Sequence, residues 1–140
     1  MKFLSRSAAE TKKIGEKIGR SLRAGDVVAL SGELGAGKTT LVKGIAKGLG
    51  VPATEEISSP TFVLIHEYQG REKIYHLDWY RLEKVEGEDR FLVEECFADN
   101  AVTLVEWPER AKNLLPRKHL EVRLKHVSEK ERRLEVEKRG

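Results

Sequence analysis

Apolar positions recur along this chain in two rhythms, and the alternation between them predicts its elements. Asp26-Val-Val-Ala-Leu30 and Ala101-Val-Thr-Leu-Val105 are apolar runs of strand length. Ile14, Ile18 and Leu22 recur at helical spacing, as do Leu41, Ile45 and Leu49. The first helix opens on a capping box, Ser7-Ala-Ala-Glu10, closes at Gly25, and is expected to pack on the sheet. The second stops at Gly50 and Pro52. Residues 62–68 and 73–78 read as strands around Gln69-Gly-Arg71, an antiparallel hairpin. Gly87-Glu-Asp opens a helix through Phe97, and Pro108 starts a short one up to Leu115, halted by Pro116. Residues 119–125 and 132–138 alternate polar and apolar side chains, the pattern of a hairpin with one wet face.

These elements predict one α/β domain over residues 1–140, in three layers. Its sheet should be parallel around the strand at 26–30 and antiparallel at the hairpins; strand order is not readable.

Composition narrows the class. The chain has 140 residues, 39% hydrophobic and 35% charged, with a formal charge of +3. That describes a soluble globular protein with a heavily charged surface, and the small net charge permits an acidic or nucleic-acid partner without demanding one. No run approaches a membrane span and Met1-Lys-Phe-Leu-Ser5 lacks a signal-peptide apolar region, so the cytoplasm is the expected location. Cys96, the single cysteine, lies in an apolar context and reads as a buried structural thiol. Lys and Glu are abundant while Gln69 is the only glutamine, a bias that surface ion-pair networks at high temperature produce.

Candidate chemistry centres on Ser31-Gly-Glu-Leu-Gly-Ala-Gly-Lys-Thr-Thr40, which fits GxxxxGK[ST] from Gly32 to Thr39 between a strand and a helix. Glycines there let successive N–H groups turn inward around a triphosphate. Lys38 would reach the β- and γ-phosphates, Thr39 would offer its hydroxyl to Mg²⁺, and Thr40 is a plausible α-phosphate contact; the helix N-terminus adds partial positive charge. Gly35, Ala36 and Gly37 supply the backbone of the cradle. Two acids arrive at strand ends: Asp78, which shares a strand face with His76, and Glu106. His76 and Asp78 could form a transition-metal pair but lack a third ligand at suitable spacing. Residues 51–61 form a long loop with hydroxyls at Ser58, Ser59 and Thr61. By composition alone, Thr11 is one more exposed polar residue.

Four segments in this order, Gly32-Glu-Leu-Gly-Ala-Gly-Lys-Thr-Thr40, Ser58-Ser-Pro-Thr-Phe62, His76-Leu-Asp-Trp-Tyr-Arg81 and Val105-Glu-Trp-Pro-Glu109, resemble the bacterial TsaE (YjeE) family over nearly the whole length. The resemblance implies a P-loop NTPase fold and a small ATPase serving the threonylcarbamoyl modification of adenosine 37 in tRNA. It implies ATP and Mg²⁺ as ligands, and hydrolysis stimulated by TsaD and TsaB; direct contact with tRNA stays open. Carried onto this sequence, Lys38 grips phosphate, Thr39 ligates Mg²⁺, and Asp78 and Glu106 are paired acids on the metal and water side. Ser58-Ser-Pro-Thr61 resembles a switch loop, Thr11 a nucleotide contact near the base, and Trp107 a functionally important tryptophan. Residues 85–91 depart from the commoner helix opening of the family.

Glu106 is preferred as the water-orienting group, with Asp78 as the alternative. No arginine is obviously placed for the γ-phosphate charge, Arg81 being the nearest by motif. A small-molecule P-loop kinase is the strongest rival, although the chain has little sequence for a substrate lid. A GTP switch is disfavoured by the lack of an Asn/Thr-Lys-x-Asp segment.

Overall fold

A computed structural model of the chain describes residues 1–33, 36–53, 57, 65–79 and 87–140. Its elements are β1 (Lys2–Ser5), α1 (Ala8–Ser21), β2 (Val27–Ser31), α2 (Lys38–Gly48), β3 (Ile65–Gln69), β4 (Lys73–Asp78), α3 (Gly87–Ala98), β5 (Ala101–Glu106), a 3₁₀ segment (Pro108–Leu114), β6 (His119–His126) and β7 (Arg132–Arg139). Among the described residues the strands form one mixed sheet, ordered β1-β7-β6-β2-β5-β4-β3. The pairs β2–β5, β2–β6 and β4–β5 are parallel, whereas β3–β4, β6–β7 and β1–β7 are antiparallel. The expected division between a parallel centre and antiparallel hairpins is therefore observed.

Helices cover both faces, completing three layers. On one side Val28, Leu30, Ile74, Val102, Leu104 and Val122 pack with Leu41, Ile45 and Leu49 of α2 and Ile18 of α1. On the other, Val27, Leu77 and Val105 meet Val93 and Cys96 of α3 and Ala111 of the 3₁₀ segment. The alternation that sends Leu77 to one face and His76 with Asp78 to the other is the two-residue period of a strand. Cys96 is indeed buried, and burial pushes its thiol up to about 11, which keeps it uncharged and inert near neutral pH.

The capping box forms in one half: the Ser7 hydroxyl accepts from the Glu10 N–H at 3.1 Å, while Glu10 Oε2 reaches one residue further back and accepts from the N–H of Arg6 at 2.7 Å. α1 reaches the core with Ile18, but its closest packing is on α2 rather than on the sheet. Gly15 and Gly19 face Gly44 and Gly48, and a Cβ at Gly44 would lie 2.2 Å from the Lys12 carbonyl oxygen. Backbone meets backbone here without intervening side chains, so α1 is registered rigidly against the helix that follows the glycine loop. The end of α1 is held by Arg71, whose guanidinium donates to the Leu22 and Gly19 carbonyls at 3.0 and 2.7 Å.

Two local features differ from expectation, and a third fills in an expected one. β1 forms an unanticipated edge strand, with Lys2 paired to Glu135. The segment after Pro108 is 3₁₀ and is broken at Ala111, whose φ of −152° is not helical. The wet face of β6 and β7 is an ion-pair lattice, in which Arg123 reaches Glu121, Glu135 and Glu137 within 3.1 Å and Arg139 reaches Glu121 at 2.7 Å. Those arginines are spent within the sheet, which supports a solvated surface over a nucleic-acid patch.

Candidate nucleotide site

β2 delivers the chain to the glycine loop, and α2 starts at Lys38 immediately after Gly37. Gly37 takes φ 99°, a left-handed conformation that a side chain with a Cβ resists. Gly37, at the N-cap of α2, has no side chain to cap the helix, so the first N–H groups can face an anion. Ala36 is buried, Thr39 and Thr40 are half-buried, and Gly35 lies outside the described residues.

The acids come from the neighbouring strands. In the parallel β4–β5 register Asp78 is opposite Glu106, and Glu106 is in turn opposite Leu30, two residues before Gly32. Both carboxylates therefore stand at the C-terminal edge of the sheet, beside the strand that feeds the loop. They are nearly buried, at 8% and 3% exposure. Charges enclosed at this edge would repel one another without a cation, and the cation present is Lys38.

Lys38 is itself only 5% exposed. Burial holds its ammonium below the ordinary lysine range, while attraction from Glu106, Glu109 and Asp78 pulls it back up. Its Nζ donates to the Gly32 carbonyl at 2.6 Å and sits 3.5 Å from the centre of the Trp107 ring. Trp107 is the non-glycine residue of the described chain with positive φ, at 60°. Its N–H donates to the Leu30 carbonyl at 3.3 Å, which ties the end of β5 to the end of β2. The lysine thus rests on its own loop and under an indole, and a phosphate ligand would compete for it with both contacts.

Thr11 is not the exposed polar residue that composition alone describes. It is 2% exposed, its hydroxyl 2.6 Å from that of Ser5 and 3.2 Å from the Ser7 carbonyl oxygen. With Ser7, Gly37, Thr40, Lys130 and Arg132 it lines a cavity of about 410 Å³ at the start of α2. The glycine packing of α1 on α2 is what brings Thr11 there.

His76 is also placed differently from a metal ligand. It is fully buried, and its Nε2 lies 2.6 Å from Glu106 Oε2. No group of three or more His, Cys, Asp or Glu side chains able to hold a metal occurs among the described residues. Oxygen donors of the kind Mg²⁺ takes are nevertheless at hand in Thr39, Asp78 and Glu106. Glu109 acts on Lys38 without having been singled out by the sequence, although its place in the Val105–Glu109 segment was a signal. Ser58, Ser59, Thr61 and Arg81 lie outside the described residues.

A glycine loop between a buried parallel strand and a helix, a lysine at the helix start and acids on the adjacent strand ends define a P-loop fold, the architecture of nucleotide-binding proteins. The sequence model for "Threonylcarbamoyl adenosine biosynthesis protein TsaE" matches residues 5–134. The chain belongs to the TsaE family and so to the proteins of tRNA threonylcarbamoyladenosine biosynthesis. It is 42% identical to the TsaE protein of Treponema pallidum over 97% of this chain and 99% of that one. With the TsaE protein of Bacillus subtilis it shares 41% identity, covering 96% of this chain and 83% of the relative. The crystal structure of Bacillus subtilis YdiB superposes with a TM-score of 0.85 at 34% identity, covering 100% of this chain and 86% of that one. No helix among the described residues is long and apolar enough to cross a membrane.

Proposed function

We propose that this protein binds ATP with Mg²⁺ at the glycine loop and hydrolyses it to ADP and phosphate. It does so in the cytoplasm, in support of a TsaD–TsaB pair that makes N6-threonylcarbamoyladenosine at position 37 of tRNA. The observation that carries this reading is the buried Lys38 at the start of α2, bonded to the Gly32 carbonyl, with the buried Asp78 and Glu106 at the adjacent strand ends.

Phosphoryl transfer to water asks a protein mainly for positioning and charge neutralisation. The N–H groups of the loop and of the α2 start would hold the phosphates. Lys38 would leave the Gly32 carbonyl and the Trp107 ring to meet the β- and γ-phosphate oxygens. Thr39 and Asp78 would hold Mg²⁺, whose charge, when bound, offsets that of the phosphates. Glu106 would orient the attacking water, and the cavity beside Thr11 would take the nucleoside end.

The chain alone should turn over slowly: Arg132, which lines the cavity with Gly37 and Thr40, donates to the Ser128, Glu129 and Glu131 carbonyls instead of standing ready for a γ-phosphate. A partner that completes the site would raise the rate, as in-trans activation does in other P-loop proteins. The test is product analysis with and without TsaD and TsaB. ADP and phosphate in equal amounts, with no phosphorylated acceptor and a rate that rises on adding the pair, is the expected result. ADP release that depends on an added hydroxyl acceptor would make the protein a small-molecule kinase, and preference for GTP would make it a guanine-nucleotide switch.

A further inference from the structure

The contact between His76 and Glu106 has no role in phosphate binding, yet it joins a fully buried histidine to an acid of the site. In the β4–β5 register His76 is opposite Leu104 and Glu106 opposite Asp78, so the glutamate meets the histidine across the diagonal on the same face. The two side chains are 0% and 3% exposed and approach to 2.6 Å, within the range of a charge-assisted hydrogen bond. A carboxylate oxygen accepts, so a hydrogen bond between these two atoms calls for the hydrogen on Nε2. The other ring nitrogen, Nδ1, is buried without a hydrogen-bond partner among the described residues. A histidine kept for packing or fold stability would more economically be an apolar side chain, since an unpartnered buried nitrogen costs about 1–3 kcal/mol.

We propose that His76 is a positioning residue: its Nε2–H clamps Glu106 Oε2 and fixes the glutamate's rotamer, reserving Oε1 for the reacting water. A glutamate has three side-chain torsions, and an unrestrained carboxylate at this edge would turn toward Lys38. The clamp costs the site nothing in charge and assigns water orientation to Glu106, leaving Asp78 as the freer oxygen donor for Mg²⁺. This inference rests on the ATP-hydrolysis reading and adds to it a residue that touches no ligand.

Two independent readouts test it. In the nucleotide-free protein, the ring-nitrogen NMR spectrum should show His76 as the Nε2–H tautomer, with its resonances displaced in Glu106→Gln. In partner-stimulated turnover, His76→Leu, which keeps volume but removes the donor, should lower kcat by about tenfold or more, the usual size of an outer-shell loss. ATP affinity measured by calorimetry should stay within roughly threefold, because the contact acts on the reacting water and not on the ground state. His76→Gln, which restores an N–H near the Nε2 position, should recover most of the rate. In a Glu106→Gln background the effect of His76→Leu should vanish.

An Nδ1–H tautomer, parental kcat in His76→Leu, or equal losses in both backgrounds would overturn the proposal. Should His76→Leu fail to fold, the tautomer and the Gln variant decide it. Loss of ATP binding by the unsubstituted protein would instead bring down the ATP reading, and this proposal with it.

Discussion

Glu106→Gln and Asp78→Ala should each lower ATP turnover by about 10²–10⁴-fold, the first by removing the group that orients water and the second by removing an oxygen donor to Mg²⁺. Glutamine keeps the shape of Glu106 and can still accept from His76 Nε2, so the contact survives while the charge is lost. Binding should respond the other way. Both acids lie close enough to Lys38 to influence its ammonium, and removing a negative charge there leaves more positive field for phosphate. The expected signature is therefore a fall in kcat with an ATP dissociation constant unchanged or lower. Asp78→Ala should in addition raise the Mg²⁺ concentration required for turnover, and Glu106→Gln should not. Rapid-quench turnover combined with calorimetric affinity measures both quantities. Full stimulated turnover in either variant would remove that residue from the mechanism.

The second large effect is structural. By helix propensity alone, Gly44→Ala would stabilise α2 by about 1 kcal/mol. The added methyl would sit 2.2 Å from the Lys12 carbonyl oxygen and 2.9 Å from its carbon, and these are backbone atoms of α1 that no rotamer change can move aside. The helices must separate, and overpacking of this sort costs about 1–3 kcal/mol or more. At the upper end of that range the clash outweighs the propensity, so we expect a net loss of about 2 kcal/mol and a fall in Tm of about 5 °C. Exposed Lys13→Ala on α1 should lie within about 0.5 kcal/mol of the parent. Because α2 begins with Lys38 and α1 carries Thr11, the separation should also weaken nucleotide affinity. Thermal unfolding of the two variants settles the sign, and a Gly44→Ala protein more stable than its parent would show that α1 does not pack on α2 in this way.

The same glycines mark where the sequence could be read and where it could not. Leu41, Ile45 and Leu49 announced a helix because their spacing is local, and the glycine loop announced itself because every residue of the motif is contiguous. The hairpin and the shared face of His76 and Asp78 followed from the two-residue strand period. Relations between distant segments were not legible in that way. Lys2 pairs with Glu135, and no pattern within residues 1–5 says so. Nothing local sets the slip between β4 and β5 that places Asp78 opposite Glu106, since register depends on the whole sheet. Thr11 passed for an exposed residue because its burial is created by α2 and by Ser5 of β1. The fourfold spacing of Gly15 with Gly19, and of Gly44 with Gly48, was a visible trace of the α1–α2 contact, but glycine in a helix reads first as a weakness.

The hydrogen bond of His76 to Glu106 was hidden for the same reason, its partners being thirty residues apart in the chain. Lys38 resting against Gly32 and Trp107 depends on the left-handed turn at Trp107, a conformation that tryptophan rarely adopts and that its sequence context did not announce.

On the proposed reading, Lys38 and the amides of the loop form a phosphate cradle. Calorimetric titration of the purified chain with ATP and Mg²⁺, beside Lys38→Ala, tests it most directly. One saturable site is expected for the parent and an affinity roughly tenfold weaker or more for the variant, which lacks the ammonium that faces phosphate. No heat of binding for the parent, or equal affinities for the two proteins, would contradict it.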